Sequence, residues 1–534
     1  MRSRHRFAGR RLMLILGVAL AAAAPVSPAL ASSAGTYTAI NGAGSTWSYV
    51  ALNQWAENLR TDGIVINFNP DGSEAGRQNY MGGQVNFAAS DPPFRSSTDP
   101  FDQGGAEISP YGYSYIPDTA GGTSFMYHLD VGGKQITNLR LSGTTVAKIF
   151  TGQITNWDNK EITHDYGQQL PNIPIIPVVR SDGSGATYFF TRWLSHVYPS
   201  LWGAFCNRVS HGKVGGSGKP CGATEFYPGG WGASVSQNGS ENVATYISAN
   251  YGQGAIGYDE YAYALAIHYP VVSLLNPAGY YVKPTASNVA VALTQAQINE
   301  NASSPNYLQQ DLDSVYTYKD PRSYPLSSYS YLVVPRSSTK TSGNFSNADG
   351  NTLSTYINYF LCAGQQYSAE LGYSPLPLNL VQGGLNQAAK IPGAVPEPSL
   401  SSNCNNPTFT KGVLTVLKDA PKPSPCQKAG EPLDCVVVNG KASAPGATPN
   451  SGSSASTGNA TSPSGSNAST TGPGQSGGGT TAQQGPVTGS AVLVASSNGS
   501  PAMVGFVAAA LILVAVGAPP AIYAATRRRR RAPR

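Results

Sequence analysis

VVRSDGSGAT, residues 178–187, decides the fold. It closes an apolar run, Ile175 to Val179, and opens an aromatic segment, Tyr188 to Leu194. The run reads as a buried strand and the segment as a helix. The turn between them leaves backbone N–H groups at a helix N-terminus, which carries partial positive charge and suits an anion. Gly183 and Gly185 permit close approach of a ligand to the backbone. Ser184 adds a hydroxyl and Arg180 a planar guanidinium fork. A plain structural turn is the competing reading of this stretch taken alone.

Working outward, the same arrangement occurs twice upstream. Asn41-Gly42-Ala43-Gly44-Ser45-Thr46 lies between a short strand, Tyr37 to Ile40, and a helix with Ala51, Leu52, Trp55 and Leu59 on one face. Ser45 or Thr46 is the expected N-cap. A strand from Ile64 to Phe68 leads into Asp71-Gly72-Ser73-Glu74-Ala75-Gly76, where Ser73 is placed to cap a helix running through Tyr80. A third strand, Val85 onward, ends in Asp91 before Pro92-Pro93. Three Gly/Ser turns thus follow strands and open helices, with Arg180 and Asp91 at other strand ends. Ligands of open α/β sheets bind at such carboxyl ends.

The chain has 534 residues, of which only 12% are charged, with a formal net charge of +6. Eleven of the 34 Lys and Arg are arginines in residues 2–11 and 527–534, which leaves 23 against 28 acids. No basic face remains, and a nucleic-acid partner is disfavoured. Six cysteines without CxxC spacing point to disulfides outside the cytoplasm. Proximity pairs Cys206 with Cys221 and Cys426 with Cys435, which leaves Cys362 with Cys404. There is no HExxH, Walker A or GxSxG sequence, and the six histidines show no ligand spacing. No metal, cofactor or catalytic residue is expected. Asn238-Gly239-Ser240 matches a glycosylation triplet, by chance at this composition.

Residues 1–31 read as a secretory signal peptide, with an Arg-rich start, an apolar run and Ala29-Leu30-Ala31 as cleavage site. Residues 401–438 read as a disulfide-tied extension. Residues 439–498 are a Ser/Gly/Thr/Pro linker with one base and no acid, of mean reach about 40–45 Å. Residues 502–525 are apolar, uncharged and long enough to span a bilayer. The arginines that follow place the tail, 526–534, in the cytoplasm. The protein is therefore expected to be secreted and held on the outer face of the membrane by a C-terminal helix.

GAGSTW at 42–47, DGSEAG at 71–76, FAASDPP at 87–93, KIFTGQITNWDN at 148–159, VVRSDGSGAT at 178–187 and GAIGYDEYAYA at 254–264 resemble, in order and spacing, the phosphate-binding proteins of ABC phosphate importers, the PstS family. The resemblance covers residues 36–400. It implies an α/β, two-lobed type II periplasmic-binding-protein fold, with a mixed sheet flanked by helices in each lobe. Lobe one would comprise 36–117 and 268–400, and lobe two 118–267, within a binding domain of 32–400. Thr46, Trp47, Ser73, Asp91, Arg180, Ser184 and Gly185 would contact phosphate, with Asp182 holding Arg180 and Thr187 close by. The family has Phe-Pro where this chain has Trp47-Ser48, and Thr where it has Ala186. An importer permease is the implied partner, and a monomer is expected.

The chemistry fits that ion. Asp91 can only accept hydrogen bonds, which a protonated phosphate can donate and sulfate cannot. An enzyme on this scaffold, such as a phosphatase, and a surface interaction protein with altered anion binding are the alternatives.

Overall fold

The computed structural model describes residues 37–445, except 98, 103, 216–219 and 337–344. The chain divides into two units after Ser451. The second unit, with the expected linker beyond residue 445, the 502–525 span and the basic tail, lies outside the described residues, as does the expected signal peptide. Among the described residues no helix is long and apolar enough to cross a membrane.

The first part of the chain alternates strands and helices. β1 is Ile40–Gly44 and α1 is Tyr49–Arg60; β2 is Ile66–Asn69 and α2 is Ser73–Met81; β3 is Phe87–Ser90. Beyond a loop comes β4, Tyr113–Tyr127, buried along nearly its whole length. β5, Ile176–Arg180, runs into α3, Gly185–Val197. β6, Val235–Gln237, runs into α4, Gly239–Ser248, and β7, Ala255–Glu260, into α5, Tyr261–Ala266. β8, Ser327–Pro335, returns, followed by α6, Asn347–Leu361.

These strands form one curled, mixed, eight-stranded sheet in the order β2-β1-β3-β8-β4-β7-β5-β6. β4 is the seam. Its residues 113–122 pair antiparallel with β8, and residues 123–127 pair antiparallel with β7. On one side β1, β2 and β3 are mutually parallel; on the other β5, β6 and β7 are. The division expected at 117–118 falls inside this strand. A 15-residue strand can serve two half-sheets because both its faces are covered, which calls for continuous burial rather than alternation.

Helix formation follows the buried stripes. α1 buries Ala51, Leu52, Trp55, Ala56 and Leu59, a 3.6-residue pattern. Trp55 stacks on Phe360 of α6, with ring centroids 5.2 Å apart, and donates Nε1–H to the Gly364 carbonyl at 2.8 Å. α1 begins later than expected. Its N-cap is Ser48, without a side-chain cap bond, and the glycines at 42 and 44 belong to β1. Gly44, at φ +135°, lies so close to Ala89 of β3 that a Cβ would overlap the Ala89 carbonyl. In α2 the N-cap is Gly72, and Ser73 is the first helical residue. The hydroxyls of Ser45 and Ser73 donate to Asp91, described below, and Ser45 Oγ also accepts the Ser48 N–H at 3.2 Å.

All three disulfides pair as expected: Cys206–Cys221, Cys362–Cys404 and Cys426–Cys435. Residues 401–438 pack on the body. Val416 buries against Ala290 and Val291, and Arg140 Nη2 donates to the Glu431 carbonyl at 2.6 Å. The ordered chain runs past the linker boundary expected at Asn439. Val436–Val438 pairs with Lys441–Ser443, and Asn439-Gly440, both at positive φ, makes the two-residue turn.

Candidate functional site

Every candidate residue lies at or just beyond the carboxyl end of a strand. β5 delivers Arg180, 2% exposed. Its Nε donates to Asp182 Oδ1 at 2.8 Å, and its Nη2 donates to the other Asp182 oxygen. The same guanidinium reaches Ser240 Oγ through Nη1 and Thr46 Oγ1 through Nη2, both at 3.1 Å. Asp259, at the end of β7, lies 3.7 Å from Nη1 and accepts from Ser240 Oγ at 2.8 Å. Thr46 and Ser240 hydroxyls are 3.0 Å apart. Thr46 follows β1 and Ser240 opens α4, so Arg180 joins the two half-sheets. Asp182 also accepts the Gly239 N–H at 3.0 Å, which fixes the guanidinium from behind.

Asp91 follows β3 and is 1% exposed. It accepts from Ser45 Oγ at 2.8 and 3.0 Å and from Ser73 Oγ at 3.0 Å, while its own N–H donates to Ser73 Oγ at 3.2 Å. Opposite stands Gly185, the first residue of α3, so close that a Cβ there would overlap the Asp91 carboxylate. Ser184 caps α3 by accepting the Thr187 N–H at 3.3 Å. Thr187 Oγ1 is 2.8 Å from the buried Tyr258 hydroxyl, behind Arg180. The starts of α1, α2, α3 and α4 therefore surround one carboxylate and one guanidinium. Their N–H groups and partial charges favour an anion there.

The local electrostatics are strongly acidic apart from Arg180. Burial pushes the carboxyl of Asp91 above its usual range, with Ser330, Ser45 and Ser73 acting against it. Burial also raises Asp118 and Glu260 well above theirs, and raises Asp259 to about 6. For Asp182 burial acts upward, but the Arg180 charge and hydrogen bonds outweigh it and hold the carboxyl low. A carboxyl raised in the folded state stabilises the fold below its ordinary pKa, and that contribution is lost as pH rises through the folded value. Asp182 is ionised throughout this window and does not oppose the trend. The ligand-free protein is therefore expected to melt at a lower temperature at pH 7 than at pH 5. Asp259 alone contributes about 1 kcal/mol of this difference between pH 5 and pH 7. Scanning calorimetry at the two pH values checks this, and a higher midpoint at pH 7 would contradict it.

The structure brings Thr46, Ser73, Asp91, Arg180, Ser184, Gly185, Asp182 and Thr187 to one place. Trp47 is set back from it, at 1% exposure, edge-on to Phe189 and Tyr373. Its backbone carbonyl accepts from the Tyr373 hydroxyl at 2.6 Å. Ser45 was expected as a cap rather than a partner of Asp91, and Ser240 and Asp259 were not expected at the site. Gly239-Ser240 repeats the Gly/Ser-before-helix signal in the triplet read as chance glycosylation. Asp259 sits in GYDEYAYA, at the end of a strand that β4 and β5 flank. Among the described residues no group of three or more His, Cys, Asp or Glu could hold a metal ion.

Comparisons with known proteins show the family. The family model described as PBP superfamily domain matches residues 29–363. The phosphate-binding protein PstS of Xylella fastidiosa (strain Temecula1) is 30% identical over 346 residues, 64% of this chain and 83% of that one. PstS of Haemophilus influenzae is 28% identical over 346 residues, covering 64% and 90%. Among solved structures, a high-affinity periplasmic phosphate-binding protein with bound phosphate aligns with 70% of this chain and 100% of its own, at 18% identity and a TM-score of 0.48. The family match covers more than half the chain, and the Xylella relative is matched over most of its length, so the chain belongs to the PBP superfamily, on its PstS-like branch.

Proposed function

We propose that this chain captures inorganic phosphate outside the membrane, without turning it over, and presents it to an ABC-type importer. The observation that carries the reading is the confrontation of Asp91 with Arg180 among four helix starts. Arg180, the Thr46 and Ser184 hydroxyls and the Ser73 and Gly185 N–H groups supply donors for the unprotonated oxygens. Asp91 supplies the acceptor that a protonated oxygen needs. The flanking segments, 36–117 with 268–400 and 118–267, act as two lobes that hinge where they share β4, and the Arg180 bridge to Thr46 and Ser240 is the closed arrangement. Trp47 shapes the wall through its packing on Phe189 and contributes backbone to the pocket. The linker and the 502–525 span tether the binding unit near its permease.

Selectivity tests this directly. Sulfate would leave the Asp91 carboxylate facing an oxygen with no proton between them, a loss of about 1–3 kcal/mol. Asp91→Asn can donate as well as accept, so the phosphate-over-sulfate preference is expected to narrow by roughly 5- to 150-fold. Lowering the pH has the same sign. Asp91, raised by burial, takes up a proton that it can donate to sulfate. Competition titrations of both proteins at pH 5 and pH 7.5 measure this. Unchanged selectivity in Asp91→Asn would remove Asp91 from the site.

A further inference from the structure

Arg180 is shared between two acids before any ligand arrives. Its Nε and Nη2 donate to Asp182, its Nη2 also to Thr46 Oγ1, and its Nη1 to Ser240 Oγ, so four of the five guanidinium N–H groups are spent on the protein. Nη1 also lies 3.7 Å from Asp259 Oδ2, an oxygen that is buried and makes no hydrogen bond to the protein. The other Asp259 oxygen is fixed. It accepts from Ser240 Oγ and from the Glu260 N–H, both at 2.8 Å. Asp259 is thus anchored at the end of β7, 5% exposed, and tied to the guanidinium through Ser240.

The charges do not balance for an anion receptor. One cation, Arg180, stands among Asp91, Asp182 and Asp259. A phosphate dianion brings two more negative charges. Like charges crowded into a buried site are unfavourable, and the acid least tied to a cation takes up a proton. Asp182 is not that acid, because the Arg180 fork holds it ionised. Asp91 faces the proton that the phosphate itself carries. Asp259 meets Arg180 through one oxygen and without a direct hydrogen bond. Burial raises its carboxyl to about 6, with the Arg180 charge acting against the rise. The other titratable groups that face it are neutral at pH 8. Burial lifts Glu260 and Tyr258 on the same strand, Tyr263 on α5 and Tyr373 beyond α6 above their ordinary ranges.

We infer that Asp259 sets the strength and the pH dependence of phosphate capture, by opposing the ion while ionised and accepting one proton as the ion enters. The inference rests on the phosphate reading of the cleft. The proton comes from solvent, bonds to Asp259 Oδ2 and returns to solvent on release. Once Asp259 is neutral, Arg180 keeps a single counter-ion, Asp182, and its remaining charge is available to the phosphate. Asp259 acts through Arg180 and Ser240 rather than by touching the ion.

The test is calorimetric titration of the full chain with inorganic phosphate at pH 5.5 and pH 8, each in two buffers of different ionisation enthalpy, so that the protons taken up are counted. Asp259→Asn keeps an oxygen for Ser240 and the Glu260 N–H while removing the charge. Asp259→Thr removes it with a different side chain, and melting curves check that each variant is folded. Comparing variants with wild type at one pH cancels the protonation of phosphate itself. At pH 8 both variants are expected to bind phosphate roughly 10- to 100-fold more tightly than wild type, the upper bound being the cost of protonating Asp259 at that pH. At pH 5.5, where wild-type Asp259 is mostly protonated already, the difference is expected to shrink to within about twofold. Proton uptake at pH 8 should be smaller in the variants by about one-half to one proton per chain. Equal affinity and equal proton uptake at pH 8 in a folded variant would overturn the inference and leave the phosphate site in place. Weaker binding by both variants at pH 8 would overturn it as well, because Asp259 would then support Arg180 rather than oppose the ion. A folded wild-type protein that binds no phosphate would overturn the phosphate reading, and the inference with it.

Discussion

Replacing Arg180 by alanine is expected to weaken phosphate binding by roughly 30- to 5,000-fold, the equivalent of about 2–5 kcal/mol for truncating one partner of a buried, hydrogen-bonded charge pair. Among the described residues the guanidinium is the one cation in contact with Asp182, Asp259, Thr46 and Ser240 together. Without it, two buried carboxylates lose their counter-charge and the link between the half-sheets is gone. Stability suffers as well, by about 3–5 kcal/mol. Arg180→Lys keeps the charge but cannot reach three partners in a planar fork, so its affinity should fall between the two. Calorimetric titration and melting curves at pH 7 give both quantities. A folded Arg180→Ala protein with wild-type affinity would show that phosphate does not meet this group.

Gly185→Ala is the second large effect. A Cβ at 185 would overlap Asp91 Oδ2, Cγ and Cβ. The carboxylate cannot step aside, because Ser45 and Ser73 hold it from the other side. The start of α3 must shift instead, which moves the Ser184 hydroxyl and the Gly185 N–H away from the ion. A destabilisation of about 1–3 kcal/mol is expected from overpacking, with at least ~tenfold weaker phosphate binding. Gly203→Ala is the control. It lies in the helix Pro199–Val209 with nothing within 4 Å of its added methyl group, and is expected to stabilise by about 0.5–1 kcal/mol. Equal behaviour of the two variants would mean that the Gly185–Asp91 contact does not shape the site.

The strand–turn–helix pattern was legible because each turn carried Gly and Ser between an apolar run and an amphipathic one. That signal placed β5 and α3 to within a few residues, and brought Asp91, Ser73, Arg180 and Ser184 forward as one group. What it could not show was how a hydroxyl divides between two acceptors. Ser45 and Ser73 read as helix caps, yet both donate to Asp91, a partner fixed only by the packing of β1, β2 and β3. Ser240 was hidden for a different reason. Its Gly-Ser turn follows a strand of only three residues, Val235–Gln237, too short to register as a period-two pattern. Asp259 lay within an apolar, fully buried strand, where sequence gives no sign that an acid has a cation across from it. The Asn439-Gly440 turn went unread, although Asn-Gly between two β-prone runs is a hairpin signal. The Ser/Gly-rich composition downstream masked it.

The measurement that bears most directly on the account is calorimetric titration of the protein, freed of bound ion by partial unfolding and refolding, first with phosphate and then with sulfate at pH 7.5. The account predicts one tight phosphate site per chain and little or no heat from sulfate. A folded protein that binds neither ion would contradict the assignment of the Asp91–Arg180 cleft as a phosphate site. Equal binding of both would retain an anion receptor and refute the role given to Asp91.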